Sequence, residues 1–147
     1  MRVRGTIAFR FTMPPVAKPR VPGPFQREVE ISVTRGCLFV EENVPVPPGY
    51  QLVVESVSIR HLAPLGSEQS VEVALTTRAG GNAATLFFYP APVRGGNNFG
   101  ADVFSTHQPI RAYADPGSKI TLRVTRNQPA GKAYAKIVLS GFLTPAR

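Results

Sequence analysis

A two-residue hydrophobic alternation returns about every ten residues along this chain, and that constrains its fold more than any other feature. It is cleanest in residues 119–127, where Ile120, Leu122 and Val124 are opposed by Thr121, Arg123 and Thr125. Side chains on a strand point alternately to its two faces, so this pattern predicts half-buried strands, each with one face on a core. Val29, Ile31 and Val33 repeat it against Glu28, Glu30 and Ser32, and Val71, Val73 and Leu75 repeat it against Glu72, Ala74 and Thr76. Residues 51–62 offer Leu52, Val54, Val57 and Ile59 as core, with a phase change that predicts a β-bulge near Glu55.

Between these runs lie the turn formers. Fifteen prolines and thirteen glycines fall between apolar segments without any fixed period, so they act as punctuation. Gly80-Gly81 predicts a hairpin joining residues 70–77 to 83–89, and Asp115-Pro116-Gly117-Ser118 predicts a tight turn. Strands are expected at 37–46, 101–106 and 109–114, and residues 132–143 are expected to pair with 119–127 through a short connection at 128–131. The expected fold class is all-β, an antiparallel two-sheet β-sandwich of jelly-roll type, with roughly nine or ten strands and no helix.

Charge divides the chain in two. Residues 1–27 carry Arg2, Arg4, Arg10, Lys18, Arg20 and Arg27 and no acid, whereas the other 120 residues hold eleven basic and nine acidic side chains. The division expected is a basic arm at 1–25 and a sandwich domain at 26–147. Within the arm, residues 6–12 alternate Ile7, Phe9 and Phe11 against Ala8, Arg10 and Thr12, a strand pattern. Five of the thirteen residues from 13 to 25 are proline, which removes backbone donors and biases this connector toward extended geometry. Thirteen extended residues reach up to about 40 Å, enough to cross onto another subunit.

The chemistry-bearing residues are few. His107, Asp102 and Ser105 contain the types of a catalytic triad, but they fall within six positions on one expected strand, where they cannot converge. His61 and His107 lack metal-ligand spacing, so no metal and no cofactor is expected, and the chain reads as a non-enzyme. The single cysteine, Cys37, excludes an intrachain disulfide and is expected to be a small buried residue. The glycine-rich loop with Arg94, Asn97, Asn98 and Phe99 lacks the residues of a phosphate-binding loop and, with Tyr89, is a candidate ligand loop. Tyr50, Tyr89, Tyr113 and Tyr134 keep a carbohydrate-binding role open, although tryptophan is absent. Arg10 interrupts the first apolar stretch, so no classical export signal is read, and no apolar run is long enough for a membrane helix. The expected location is virion or cytoplasm.

The phrases VPPGYQLVVESVS at 46–58, IRAYADPG at 110–117 and SGFL at 140–143 resemble a loosely defined group of small bacterial and phage-associated β-sandwich proteins of unassigned activity. The combination of sandwich and arm is also similar to capsid decoration, or cement, proteins of tailed phages. That resemblance implies a structural subunit, often trimeric, whose arm clamps neighbouring capsid or assembly proteins. The expected partners are further copies of the chain, a trimer being favoured, and other capsid components, met through Arg2, Arg4, Ile7, Phe9, Arg10, Phe11, Lys18, Arg20 and Arg27. Two alternatives stand beside it. One is a carbohydrate- or ligand-binding module. The other, less favoured, is nucleic-acid binding through phosphate contacts of the arm.

Overall fold

The computed structural model describes residues 21–67, 69–93 and 100–147. The alternating segments form nine strands: β1 (Gly23–Val33), β2 (Phe39–Pro45), β3 (Tyr50–Pro64), β4 (Val71–Ala79), β5 (Asn82–Phe88), β6 (Ala91–Pro92), β7 (Ala101–Ala114), β8 (Lys119–Arg126) and β9 (Ala133–Pro145). They build one sheet in the order β1-β9-β3-β7-β6 and a second in the order β2-β8-β4-β5, with every pairing antiparallel. Setting aside the two-residue β6, the chain alternates between two four-stranded sheets so that strands one, eight, three and six face strands two, seven, four and five. This is a jelly roll.

The core lies between the sheets. Leu52, Ile59, Leu75, Ile120, Leu122, Ile137 and Leu139 are fully buried, and Phe25, Val29, Val40, Leu86, Ile110 and Leu143 pack around them. The core positions predicted from alternation on β3, β4 and β8 are all buried, as are Ile31 and Val33 on β1. The bulge also falls where expected: the register of β3 against both β7 and β9 shifts between Val54 and Ser56. Gly80 and Gly81 both take positive φ in the β4–β5 turn, the backbone that a two-residue hairpin requires. The Asp115 carboxylate accepts from both of their amides at 2.9 and 3.0 Å, which ties that hairpin to the turn between β7 and β8 and holds the acid below its ordinary pKa.

Three expectations require correction. β8 and β9 are adjacent in sequence but do not pair; β8 lies between β2 and β4, and β9 between β1 and β3. Their apolar faces meet across the core instead, burying both on opposite walls of the sandwich. Residues 101–114 form one strand, not two. Pro109 sits inside it beside the β3 bulge, next to an outer edge that β6 covers only at Ser105 and Phe104, so the missing amide costs no ladder bond. Cys37 is exposed, because its carbonyl is turned inward to a buried guanidinium and its side chain is left outside beside Thr34.

β1 begins at Gly23, three residues before the alternation at Gln26 makes it recognisable. Pro24 is accommodated because β1 is an edge strand. No helix among the described residues is long and apolar enough to cross a membrane.

Candidate assembly surfaces

A sandwich leaves open edges, and each edge strand must be guarded or used. β1 carries Pro24, Arg27, Glu28 and Glu30, and Lys136 of β9 lies 3.4 and 3.7 Å from the two carboxylates. β2 carries Glu41, Glu42 and Pro45. β7 has Pro109, and Pro92 sits on the short β6. β5 differs, since NAATLFF has neither a charge nor a proline, and Phe87 is 56% exposed. Replacing Thr85 by lysine at the centre of β5 is expected to lower the thermal midpoint by no more than about 4 °C, since the exposed Thr76–Thr85 hydrogen bond it removes is worth about 1 kcal/mol, while reducing turbidity on heating, because a charge blocks edge pairing.

The outer face of the β2-β8-β4-β5 sheet carries hydroxyl side chains at its centre, charged side chains around them, and Phe39 and Phe87 on its two edge strands. Thr76 and Thr85 share a hydrogen bond of 2.9 Å, and Thr121 donates to Asn43 at 2.9 Å. The Arg123 guanidinium lies 4.0 Å above the Phe39 ring and 3.5 Å from Glu41. Tyr89, just past β5, is exposed, and its hydrogen bond to the Glu72 carboxylate raises the phenol pKa. Flanking aromatics and a hydroxyl-rich centre suit contact with a planar polar ligand or another protein surface.

Beneath one end of the sandwich lies a buried cation. Arg126 is 1% exposed, on the inward phase of β8 after Val124. Its Nε donates to the Cys37 carbonyl at 3.0 Å and Nη1 to Ala130 at 3.1 Å, while Nη2 is shared among Thr34, Pro129 and Gly131 at 3.1, 3.2 and 2.8 Å. The guanidinium thereby clamps the β1–β2 connection to the β8–β9 connection by carbonyl dipoles. His61 is also fully buried, edge-on to Phe104, with both ring nitrogens unpartnered. Burial and, secondarily, the Arg126 charge lower its pKa from 6.5 to about 4.

That shift has a sign. The folded state resists a proton that the unfolded chain accepts below its ordinary pKa, so stability is lost as pH falls through 6.5 and the loss levels off below about 4. The loss attributable to His61 is expected to reach about 3 kcal/mol. Urea titrations at pH 7 and pH 4 check this by difference: His61→Leu should be nearly neutral at pH 7, since no hydrogen bond is removed, and should lose less stability than the parent on acidification.

The predicted functional residues meet different fates. Asp102, Ser105 and His107 do not come together: Asp102 accepts from the Gly66 amide at 2.9 Å, while Ser105 and His107 stand opposite Arg60 and Ser58 on β3. Arg27 is an exposed residue of β1. Arg2, Arg4, Ile7, Phe9, Arg10, Phe11, Lys18 and Arg20 lie outside the described residues, as do Arg94, Asn97, Asn98 and Phe99, leaving Tyr89 alone of the ligand loop. No group of three or more metal-ligating side chains occurs among the described residues. Arg126 was overlooked in the sequence, although its place on the apolar phase of β8 marked it as a charge directed inward.

No protein family matches the chain, and no curated protein matches its sequence. The similar solved structures are distant. The mitogen derived from Yersinia pseudotuberculosis aligns over 79% of this chain and 86% of its own, at 9% identity and a TM-score of 0.40. Desmodium yellow mottle tymovirus aligns over 99% of this chain and 96% of its own, at 14% identity and a TM-score of 0.29. The 60-mer BFDV capsid protein aligns over 85% of this chain and 93% of its own, at 6% identity and a TM-score of 0.29. At these scores the fold assignment rests on the strand order of the chain itself.

Proposed function

We propose that the chain is a non-enzymatic structural subunit of a symmetric assembly of virion type, in which the basic arm docks on neighbouring copies. The observation that carries this reading is the junction of two features. A jelly roll whose interior is filled by its own side chains starts with an edge strand, and residues 1–20 before it carry five basic side chains and no acid. Jelly rolls serve capsids, lectins and cupins alike, so the fold does not choose among them. A core occupied by Leu52, Ile59, Leu122 and Leu139 leaves a cupin-like interior ligand no room, and an arm at an exposed edge suits assembly. Closed symmetry is the usual form of such assemblies, and the resemblance to capsid decoration proteins favours a trimer.

Removing residues 1–20 is expected to leave a folded domain that no longer assembles. Light scattering at low salt checks this: the full chain should show a defined multiple of the 15.9 kDa subunit, and the truncated chain a monomer. Equal masses for the two chains would remove the reading. The exposed Phe39, Phe87 and Tyr89 favour a second one, a carbohydrate- or ligand-binding module. It predicts glycan-array signals that Tyr89→Ala abolishes and arm removal leaves unchanged.

A further inference from the structure

We propose that the arm of one copy adds as a strand to the open edge of β2 in a second copy. This rests on the assembly reading above and names the surface the arm meets. Among the described residues β2 hydrogen-bonds to β8 alone, so its other side presents unpaired backbone groups.

The edge and the arm are complementary in both charge and polarity. The edge opens with exposed apolar residues, Leu38 and Phe39, followed by Glu41 and Glu42. β1 contacts β2 on the same side of the sandwich and brings Glu28 and Glu30. Half of the eight acidic residues in the described part of the chain thus lie on these two strands. Glu42 has no ion pair with any described residue. The arm offers apolar Ile7, Phe9 and Phe11 among basic residues, with no acid through residue 20. β5, the other edge of this sheet, has no carboxylate to meet such a partner.

The register follows from the alternation. Residues 6–12 match the seven residues of β2 in length. Placed antiparallel with Arg10 opposite Glu41, they set Phe11 opposite Val40 and Ile7 opposite Val44, both on the core side of β2. Arg10 then stands on the outer face beside Glu41 and between Ala8 and Thr12. Phe9 covers the stem of Glu42, whose carboxylate stays at the rim. The connector can carry the arm to a second copy, since Pro14, Pro15, Pro19 and Pro22 favour extended polyproline geometry and ten such residues reach about 31 Å.

Cross-linking tests the pairing directly. In a Cys37→Ser background, full chains bearing Arg10→Cys are mixed with full chains bearing Glu41→Cys under mild oxidation, and a disulfide-linked pair is expected. A doubly substituted chain that closes only on itself as a monomer would overturn docking between copies. In parallel, Glu41→Arg with Glu42→Arg should raise the dissociation constant of the assembly at least tenfold while lowering the melting temperature by only about 2–4 °C, the loss expected from the exposed Arg123–Glu41 pair, and Arg10→Glu should restore part of the affinity. If the double arginine variant assembles like the parent while arm removal disperses it, the β2 assignment fails and the assembly reading stands. If arm removal changes nothing, both fail.

Discussion

Gly141→Ala is expected to destabilise the fold by at least about 3 kcal/mol, a large cost for a single added methyl. Gly141 lies in β9, opposite Val54 on one side and Phe25 on the other. The bulge in β3 between Val54 and Ser56 drives the Val53 carbonyl toward β9, and a Cβ at position 141 would collide with that carbonyl oxygen. The obstacle is backbone held by ladders on both sides, not the end of a flexible side chain, so relief requires moving β3 or β9. Gly23→Ala is the control, because a Cβ there meets nothing within 4 Å; its effect should stay within about 0.5 kcal/mol. Urea denaturation of the two variants beside the parent checks both values. Equal midpoints would show that the bulge relaxes freely.

Arg126→Met should cost a further large amount, about 3–5 kcal/mol, because it removes charge-assisted hydrogen bonds to buried carbonyls, and a buried acceptor left unsatisfied costs about 1–3 kcal/mol. Five carbonyls, of Thr34, Cys37, Pro129, Ala130 and Gly131, lose a donor at once, and although the Cys37 amide, the Gly36 amide and the Gln69 side chain still reach Thr34, Pro129 and Ala130, the strongest donor to each connection is gone. Methionine fills much of the volume and satisfies none of them. Arg126→Lys should recover only part of the loss, since one ammonium cannot reproduce the planar fork that reaches both connections. Denaturation measures the total, and hydrogen exchange in residues 34–38 and 128–131 locates it: both connections should exchange faster together, with the β4–β5 hairpin unaffected. His61 supplies an independent readout. Loss of the neighbouring positive charge should raise its pKa above about 4, while burial keeps it below 6.5. A stability–pH profile of Arg126→Met should therefore show the acid-induced loss spread over a narrower range than in the parent.

Much of the fold was legible because alternation is a local property. Whether Ile120, Leu122 and Val124 share a face depends only on their spacing, and the structure buries all three. The bulge near Glu55 was legible for the same reason, as a break in phase from Leu52 and Val54 to Val57 and Ile59. The Gly80-Gly81 hairpin was legible because two consecutive residues with positive φ are affordable only to residues such as glycine. The surfaces offered for assembly were less so. The arm residues were singled out by charge and alternation, but the edge that suits them, with Leu38, Phe39, Glu41 and Glu42, becomes an edge only when β2 pairs with β8 alone.

The residues by themselves determined that the chain is a set of short amphipathic strands broken by proline and glycine, preceded by a segment whose charge is entirely positive through residue 27. Only the tertiary structure decided which strands share a sheet. Strands β8 and β9 each have one apolar face and a short connection, which is as consistent with a hairpin as with two walls of a core. The choice lies in long-range packing, where both faces are buried against each other and Arg126 holds the connection that crosses between sheets. Edges, buried charges and the exposure of Cys37 all follow from that crossing, because pairing partners distant in sequence are selected by what the whole core can bury.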